Sequence, residues 1–403
     1  MLRQQRGNMN APPVFSVIIP VFNNWELTAA CLRSLREHTP GDEAEVIVVD
    51  NGSSDDTAEA LQPLGESLFG RRFLHIRFAE NRNFGPACNA GARAASASLL
   101  FFLNNDTLLT PGWFPPLPEA LAADSSLGGV GPILLYEDRT VQHLGVVFSM
   151  SGARHLYDGF PADHPAVGRK RYFQAITAAA LMLPRELFLQ HEGFYEEYRN
   201  GFEDVDLCLR LGRAGKRFAC APSSIVFHLE SRTPGRKDNE AANSALLARR
   251  CEGLYRPDTH LHGLRDGFRP FITDSLSIGL RLREEDEAKL LQAAHGQPPA
   301  VWRQYCLEHP YWVQGREYLA EELEKQGHAA EALACRIEVA NILRLAASSR
   351  ALMLAAGRFK NAELLAIAEE DYRRLAALGL DKALCRRLQS PVFRCAGFLP
   401  LCP

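Results

Sequence analysis

Residues 14–103 alternate short apolar runs with segments in which apolar residues recur at helical spacing. Strands that alternate with helices predict parallel βαβ units. The runs are almost continuously apolar, which is typical of strands in a sheet that is covered on both faces. We therefore expect an α/β fold with layers of helices around a mostly parallel central sheet. The predicted strands are 14–20, 44–50, 73–78 and 98–103, and the predicted helices are 25–38, 56–68 and 84–95.

The pattern changes after residue 125. Residues 127–136 and 140–149 are predicted to be strands, and a late strand is predicted at 224–230. Beyond residue 300 the spacing is helical, and two weakly similar segments, 326–334 and 356–366, fit tetratricopeptide-type helix pairs, with a plain helical cap as the alternative. These changes predict an N-terminal tail at 1–13, one α/β domain at 14–255, a connector at 256–300 and a helical C-terminal region at 301–403.

The composition narrows the class of protein. A formal net charge of −3 argues against a protein that binds nucleic acid through its overall charge. The ten cysteines include no CxxC pair, so we expect reduced packing thiols in a cytoplasmic protein and no zinc site. The first residues lack the apolar core of a secretory signal, and no apolar run approaches the ~20 residues that span a bilayer.

Polar residues cluster where the predicted strands end. Asp50 ends the second strand, residues 80–91 follow the third, residues 104–106 follow the fourth, and a later cluster lies at 200–231. In an open parallel sheet, ligands bind outside the carboxyl ends of the strands. Each cluster alone is also explained as turn or helix-cap chemistry, and His228 alone as a buried core histidine.

Together, these clusters supply what a nucleotide-sugar site requires. The base and ribose need polar groups, for which Asp50 is the candidate. The diphosphate needs a divalent cation held by hard oxygen ligands, with histidine tolerated, and Asp106 with His228 fits that donor set. The acceptor hydroxyl needs a general base within hydrogen-bonding reach, for which Asp204 or Glu203 is the candidate.

Seven segments follow one another along the chain. They are "SVIIPVFNNWELTAACLRSL", "EVIVVDNGSSDDT", "NRNFGPACNAG", "LLFFLNNDTLLTPGW", "VQHLGVVF", "FEDVDLCLRLGRAGKR" and "IVFHLES". In this order they resemble family 2 glycosyltransferases, and within that family the bacterial rhamnosyltransferase-like members of surface polysaccharide assembly. The resemblance covers about residues 14–255. It implies a GT-A fold, which is one αβα sandwich, and inversion at the anomeric carbon by direct displacement.

The resemblance assigns roles to individual residues. Asp204 matches the carboxylate that acts as general base, with Glu203 as the runner-up. Asp106 ends the motif that is usually Asp-x-Asp and binds Mg²⁺ or Mn²⁺, and His228 matches a late histidine that contacts the same metal or the diphosphate. Gln142 and His143 lie in a "QHLG" segment that is expected to face the acceptor. The nucleotide is expected at Pro20, Asp50, Asn81, Asn83, Asn104 and Asn105.

Two positions depart from the family pattern. Asn104 stands where the first Asp of the metal motif is usual, and an amide adds no charge. We therefore expect a cation site that is weak without nucleotide and is completed by diphosphate oxygens. Asn83 stands where Gly is frequent, which bears on how closely the backbone approaches the nucleotide.

The resemblance implies a nucleotide-sugar donor, either dTDP-rhamnose or a UDP-sugar, and a glycan or lipid-linked acceptor. A lipid-linked acceptor would bring a cytoplasmic protein into peripheral contact with the inner membrane, and the C-terminal helices are candidates for protein contacts. Two other functions compete with this interpretation. A sugar nucleotidyltransferase would need a glycine-rich, basic loop after the first strand, which "PVFNNWE" does not supply. A catalytically silent scaffold would not need Asp106, Glu203, Asp204 and His228.

Overall fold

The computed structural model describes residues 12–39, 43–149, 152–229, 239–275 and 277–377. Most of the predicted tail at 1–13 and the end of the predicted helical region, from residue 378, lie outside these residues. The chain divides into a first unit, residues 1–147 and 154–255, and a second unit, residues 148–153 and 256–403. Among the described residues, no helix is both long enough and apolar enough to cross a membrane.

The strands up to residue 255 build one large mixed sheet and one small hairpin. Nine of them form the large sheet, and β8 and β9 form the hairpin. The strands are β1 Phe15–Val21, β2 Ala44–Asp50, β3 Phe73–Arg77, β4 Leu99–Leu103, β5 Thr107–Leu109, β6 Leu127–Leu135, β7 Val141–His143, β8 Val146–Ser149, β9 Gly152–His155, β10 Ala180–Pro184 and β11 Arg217–His228.

The helices of the first unit connect these strands. The predicted alternation of strands and helices is confirmed between β1 and β4, and the α/β class is therefore confirmed. The helices are α1 Trp25–His38, α2 Thr57–Phe69, α3 Phe84–Ala94, α4 Pro116–Ala123, α5 Arg185–Gln190, α6 Glu203–Arg213 and α7 Glu240–Arg250.

The large sheet has a parallel half and a mixed half. Its order is β3-β2-β1-β4-β10-β6-β11-β5, with β7 paired to β6. The strands β3, β2, β1 and β4 are parallel, which places their carboxyl ends at one edge. Beyond them, β10 is antiparallel to both β4 and β6, and β11 is parallel to β6. The sheet is thus less uniformly parallel than the run of strands before residue 103 suggests.

Burial explains the near-continuous apolar runs. In β1, β2 and β4 almost every side chain is buried, because helices cover both faces of this half of the sheet. Phe15 stacks on Phe114 with ring centroids 4.2 Å apart, and Phe101 packs against Trp113 at 4.8 Å. The described cysteines are free thiols, and six of these seven are buried in the packing.

One strand pairing has a direct consequence for the site. The short strand β5 begins directly after Asp106 and runs antiparallel to the end of β11. Its register pairs Thr107 with His228 and Leu108 with Phe227. A histidine that is more than a hundred positions away in the chain is therefore placed beside the residues that follow β4.

The second unit is mainly helical. Residues 256–300, for which the sequence predicts a connector, contain a helix, a β-hairpin and a second helix. In the remainder, each helix from α10 to α14 packs against the next. The elements are α8 Thr259–Arg265, β12 Arg269–Ile272, β13 Ile278–Arg281, α9 Glu284–Ala294, α10 Pro299–Glu308, α11 Val313–Lys325, α12 Ala329–Leu343, α13 Ala346–Arg358 and α14 Ala362–Ala377.

Candidate active site

Asp50 organises the turn that follows β2. Its side chain is fully buried, and Oδ1 accepts a hydrogen bond from the backbone N–H of Ser53 at 2.8 Å. Oδ2 lies 3.3 Å from Nη1 of Arg77, the last residue of β3. Arg77 also donates to the carbonyl oxygen of Ser53 at 3.1 Å, so the carboxylate and the guanidinium fix this turn together. The predicted contact of Asp50 with a base or ribose stays a prediction.

Asn51 is a residue that the sequence analysis missed. Its buried side-chain amide donates to Oδ1 of Asn81 and to the carbonyl oxygen of Asn83, both at 3.0 Å. Its Oδ1 accepts from the backbone N–H of Arg82 at 2.8 Å. One amide therefore holds the whole predicted nucleotide loop after β3. The available signal was its position, since Asn51 directly follows Asp50 at the end of a buried strand.

Asn83 adopts a backbone conformation that favours glycine. Its φ is 68° and its ψ is −179°, and it lies directly before α3. Its backbone N–H donates to Oδ1 of Asn81 at 2.8 Å. The departure noted in the sequence thus coincides with a strained position in the loop.

The loop after β1 joins the same region. Oδ1 of Asn23 accepts a hydrogen bond from the backbone N–H of Ser54 at 2.8 Å. The backbone N–H of Asn23 donates to Oγ of Ser53, also at 2.8 Å. Trp25 donates its backbone N–H to Oδ2 of Asp55 at 3.1 Å. Pro20, another predicted nucleotide residue, lies in β1 opposite Val49 of β2.

The predicted metal ligands lie side by side. Oδ1 of Asp106 is 3.0 Å from Nε2 of His228, and both side chains are largely buried. Nδ2 of Asn104 lies 3.3 Å from the same Nε2. Asn105 is turned away from this group and donates to Oγ1 of Thr28 at 2.9 Å. The β5–β11 pairing brings these residues together.

The hydrogen bonds of His228 determine which nitrogen faces Asp106. Nδ1 lies 2.6 Å from Oε1 of Gln142, an acceptor, so Nδ1 carries the proton. Nε2, the other ring nitrogen, lies 3.0 Å from Oδ1 of Asp106. A proton on Nε2 would make this contact an ion pair. A divalent cation would find in the same two atoms one oxygen and one nitrogen ligand.

Asp106 and His228 would supply only part of the coordination shell of a cation. Among the described residues, no group of three or more His, Cys, Asp and Glu side chains could hold a metal ion. One carboxylate oxygen and one imidazole nitrogen leave further positions for phosphate oxygens and water, which Mg²⁺ and Mn²⁺ accept readily. The expectation that nucleotide completes the site stays a prediction.

Gln142 and His143 lie inside the first unit. Both side chains are buried, at 4% and 1% exposure, and their expected position facing an acceptor stays a prediction. Nε2 of His143 accepts a hydrogen bond from the backbone N–H of Thr177 at 3.2 Å. Burial, together with the nearby His155 and His228, holds the pKa of His143 well below its usual value, so this ring is neutral.

The two predicted catalytic carboxylates are the first two residues of α6 and differ in solvent exposure. Glu203 is buried, and its Oε2 accepts the backbone N–H of Gly201 at 2.7 Å. Asp204 is half-buried, and its two oxygens accept the backbone N–H groups of Val205 at 2.8 Å and Ala178 at 2.9 Å. Each oxygen keeps a second lone pair. Asp204 is thus the more accessible acceptor for a proton.

A single segment connects Asp204 to the metal motif. Ala178 donates its N–H to Asp204, and the carbonyl oxygen of Ala179 accepts the backbone N–H of Asn104 at 2.9 Å. The loop before α6 is unusual, because Asn200, Gly201 and Phe202 all have positive φ, at 54°, 149° and 73°. Conformations of this kind are typical of functional sites.

A buried ionic cluster on α6 was also missed by the sequence analysis. Asp206 is fully buried, with Arg210 at 2.6 Å, Arg250 of α7 at 2.7 Å and the hydroxyl of Tyr198 at 3.1 Å. Burial alone would raise the pKa of Asp206, but hydrogen bonds from Arg250 and Arg210 outweigh it and lower the pKa. The cluster fixes α7 against α6.

Residues 16–159 match the family model described as glycosyl transferase family 2. This part of the chain is therefore similar to the catalytic domain that the family model describes. The matched range includes β1 to β9 and therefore Asp50, Asn51 and Asp106. The predicted resemblance to this family is confirmed.

The chain is similar to proteins whose names refer to polysaccharide synthesis or sugar transfer. The chain is 28% identical over 344 residues to the O-antigen biosynthesis protein RfbC of Myxococcus xanthus, covering 81% of this chain and 26% of RfbC. It is 25% identical over 284 residues to the N-acetylglucosaminyl-diphospho-decaprenol L-rhamnosyltransferase of Mycobacterium tuberculosis (strain H37Rv), covering 62% and 89%. The chain spans about a quarter of the length of the first curated relatives that it matches.

Among solved structures, the mannosyltransferase PcManGT from Pyrobaculum calidifontis, in complex with GDP-Man and Mn²⁺, aligns with a TM-score of 0.43 and 18% identity. The alignment covers 92% of this chain and 86% of PcManGT.

Proposed function

We propose that this chain is a metal-dependent glycosyltransferase that moves a sugar from a nucleoside diphosphate to a hydroxyl group, with inversion at the anomeric carbon. The observation that carries the proposal is the adjacent Asp106 and His228 at the end of β4, with Asp204 connected to the same motif through Ala178 and Ala179. The family match over residues 16–159 supports it independently.

Asp106 and His228 would hold one divalent cation through Oδ1 and Nε2. When bound, such a cation neutralises the negative charge that develops on the leaving diphosphate. Asn104 contributes an amide beside Nε2 but no charge, so the protein offers a single carboxylate to the cation. We therefore propose that cation and nucleotide bind cooperatively, each weakly alone.

Asp204 would act as the general base. As an acceptor oxygen forms its bond to the anomeric carbon, the bond from that carbon to the diphosphate breaks and the electron pair leaves with the nucleotide. The hydroxyl proton passes to Asp204, whose oxygens are oriented by Ala178 and Val205. Attack from the face opposite the leaving group gives inversion.

The loops held by Asn51 and Asn23 would form the nucleotide side of the site. They bring together the carboxyl ends of β1, β2 and β3, the edge at which open sheets bind ligands. Asp50 holds the turn after β2 through Ser53 and Arg77, and we propose that Asn81 and Asn83 contact the ribose or a phosphate.

We propose dTDP-rhamnose first, and UDP-sugars second, as the donor in bacterial polysaccharide synthesis. The names of two relatives, an O-antigen biosynthesis protein and an L-rhamnosyltransferase, support polysaccharide synthesis and a rhamnosyl group, and the choice of nucleotides rests on the resemblance in the sequence. A glycan or lipid-linked acceptor follows from the same names. We also propose a cytoplasmic location with peripheral membrane contact, where a lipid-linked acceptor would be met.

Thermal denaturation with a panel of ligands tests this function. The panel contains dTDP, UDP and GDP and their sugars, each with and without Mn²⁺. A specific nucleotide stabilises by mass action, by about 2.7 kcal/mol at a hundred times its dissociation constant. We expect one nucleotide to stabilise the protein with Mn²⁺, and a much smaller effect without Mn²⁺ or in Asp106→Asn. If no member of the panel stabilises the wild type, the proposal is wrong.

A further inference from the structure

We propose that Gln142 is a positioning residue that holds His228 in the tautomer and orientation that cation binding requires. This inference rests on the proposed metal site and adds a residue that touches neither cation nor substrate. It differs from the acceptor-facing role that the sequence predicts for Gln142.

Gln142 makes two hydrogen bonds to the same histidine. Its Oε1 lies 2.6 Å from Nδ1 of the His228 ring, and its Nε2 donates to the backbone carbonyl oxygen of His228 at 3.2 Å. The second bond fixes which end of the amide is oxygen, because a carbonyl oxygen only accepts. The first bond then places a ring proton on Nδ1, so that Nε2 is the nitrogen whose lone pair is available to a cation.

That lone pair is directed where a ligand is needed. Nε2 lies 3.0 Å from Oδ1 of Asp106, the other proposed ligand. If the ring rotated by half a turn, or if the proton moved to Nε2, the pair would no longer present two electron donors to one cation. Partners that fix the ring in this way typically change metal affinity by 10- to 100-fold when they are lost.

An irregularity in the strand explains how Gln142 reaches His228. In the pairing of β7 with β6, His143 lies opposite Leu134 and Val141 lies opposite Leu135. Gln142 is the extra residue between them, so the strand has a β-bulge at this position. A bulge redirects a side chain that a regular strand would point elsewhere, and bulges are frequent next to active sites.

The bulge is itself held in place. The backbone carbonyl oxygen of Gln142 lies 2.9 Å from Nδ1 of His155, which donates to it. Gln142 is buried, at 4% exposure, and its amide oxygen and nitrogen are both directed to His228. One bond holds the ring of His228 and the other holds its backbone, so the amide fixes the ring relative to its own strand.

Two substitutions separate positioning from stability. Gln142→Leu removes both bonds while keeping an apolar volume of similar size. Gln142→Glu keeps an acceptor for Nδ1 and gives up the donor to the His228 carbonyl. A matched control is Asn89→Leu, because Asn89 is another buried amide with two bonds to one residue, Phe194, and has no hydrogen bond to His228.

The readout is Mn²⁺ itself. Free Mn²⁺ is titrated by electron paramagnetic resonance in the presence of dTDP, UDP or GDP, and ¹⁴N modulation of the spin echo reports whether an imidazole is bound to the metal. We expect Gln142→Leu to weaken Mn²⁺ binding by 10- to 100-fold and to lose most of the ¹⁴N modulation. Gln142→Glu should bind Mn²⁺ within about threefold of wild type or more tightly, because a carboxylate makes the imidazole more basic. Asn89→Leu should bind like the wild type.

The outcomes distinguish this inference from the proposed function. If the wild type binds no Mn²⁺ with any of the three nucleotides, the metal site and the role of Gln142 are both wrong. If the wild type binds Mn²⁺ and folded Gln142→Leu binds it equally well, only the role of Gln142 is wrong. Should Gln142→Leu fail to fold, the glutamate variant decides, since a tenfold loss of Mn²⁺ binding there contradicts the inference.

Discussion

Replacing Asp204 by asparagine tests the proposed general base, and the structure shows that this change has two separable effects. The carboxylate accepts one backbone N–H at each oxygen, from Val205 and from Ala178. An asparagine has one acceptor and one donor, so its NH₂ group must face one of these N–H groups. Leaving a donor unsatisfied costs about 1–3 kcal/mol, so we expect the free energy of unfolding to fall by that amount.

The effect on catalysis should be larger and independent of stability. General bases contribute a factor of about 10² to 10⁴, which corresponds to about 3–5 kcal/mol in the barrier. The acceptor is not identified, but water can take its place. The assay therefore measures the slow release of nucleoside diphosphate from dTDP-rhamnose or a UDP-sugar in the presence of Mn²⁺. Nucleotide affinity in Asp204→Asn should stay within about threefold of wild type, because loss of the proton acceptor does not remove a nucleotide contact.

Glu203→Gln is the matched control. Glu203 accepts the backbone N–H of Gly201 with one oxygen, which glutamine can also do. We expect this variant to keep at least a tenth of the wild-type rate. If Glu203→Gln instead abolishes release and Asp204→Asn does not, the two roles are reversed. Loss of nucleotide binding in Asp204→Asn would reassign Asp204 to the nucleotide site.

Three further predictions concern the supporting structure and the cation. Asn83→Gly should raise the free energy of unfolding by about 1 kcal/mol in urea denaturation. The reason is that a φ of 68° with a ψ of −179° strains asparagine and not glycine. A loss of stability would show that the contacts of the Asn83 side chain contribute more than the relief of strain. Asp206→Asn should lower the free energy of unfolding by about 3 kcal/mol at pH 7, since it breaks a buried ion pair. The folded-state pKa of Asp206 is lowered below its ordinary value of 3.8, so the ion pair stabilises above that pH. The difference from wild type should shrink as the pH falls below about 4, and a difference independent of pH would contradict this reasoning. Removing the cation with EDTA should abolish nucleoside diphosphate release, and added Mn²⁺ should restore it; release that survives EDTA argues against the proposed metal.

The parallel half of the fold could be predicted from the sequence, because its signal is local. Apolar runs alternate with helical spacing up to residue 103, and a parallel pair must be joined by such a crossover. The mixed half could not be predicted in the same way. The insertion of β10 between β4 and β6 joins strands that are far apart in the chain, and no local pattern encodes that pairing.

The candidate site likewise combines residues that a local sequence pattern reveals with contacts that depend on distant parts of the chain. Asp50 could be chosen as a candidate because it ends a predicted strand, and Asp106 because it closely follows one. The 3.0 Å contact of Asp106 with His228, by contrast, depends on the antiparallel β5–β11 pairing. Asn51 was passed over because its partners, Asn81 and Asn83, lie in another loop. The direction of the Gln142 side chain follows from a bulge, which strand periodicity does not reveal.

The most direct test of the central claim is a crystal structure with Mn²⁺ and the nucleoside diphosphate that stabilises the protein, with the anomalous signal of Mn²⁺ recorded. The account predicts one peak within about 2.0–2.3 Å of both a carboxylate oxygen of Asp106 and Nε2 of His228, with diphosphate oxygens completing its coordination. A Mn²⁺ ion bound to the nucleotide but away from either residue would contradict it.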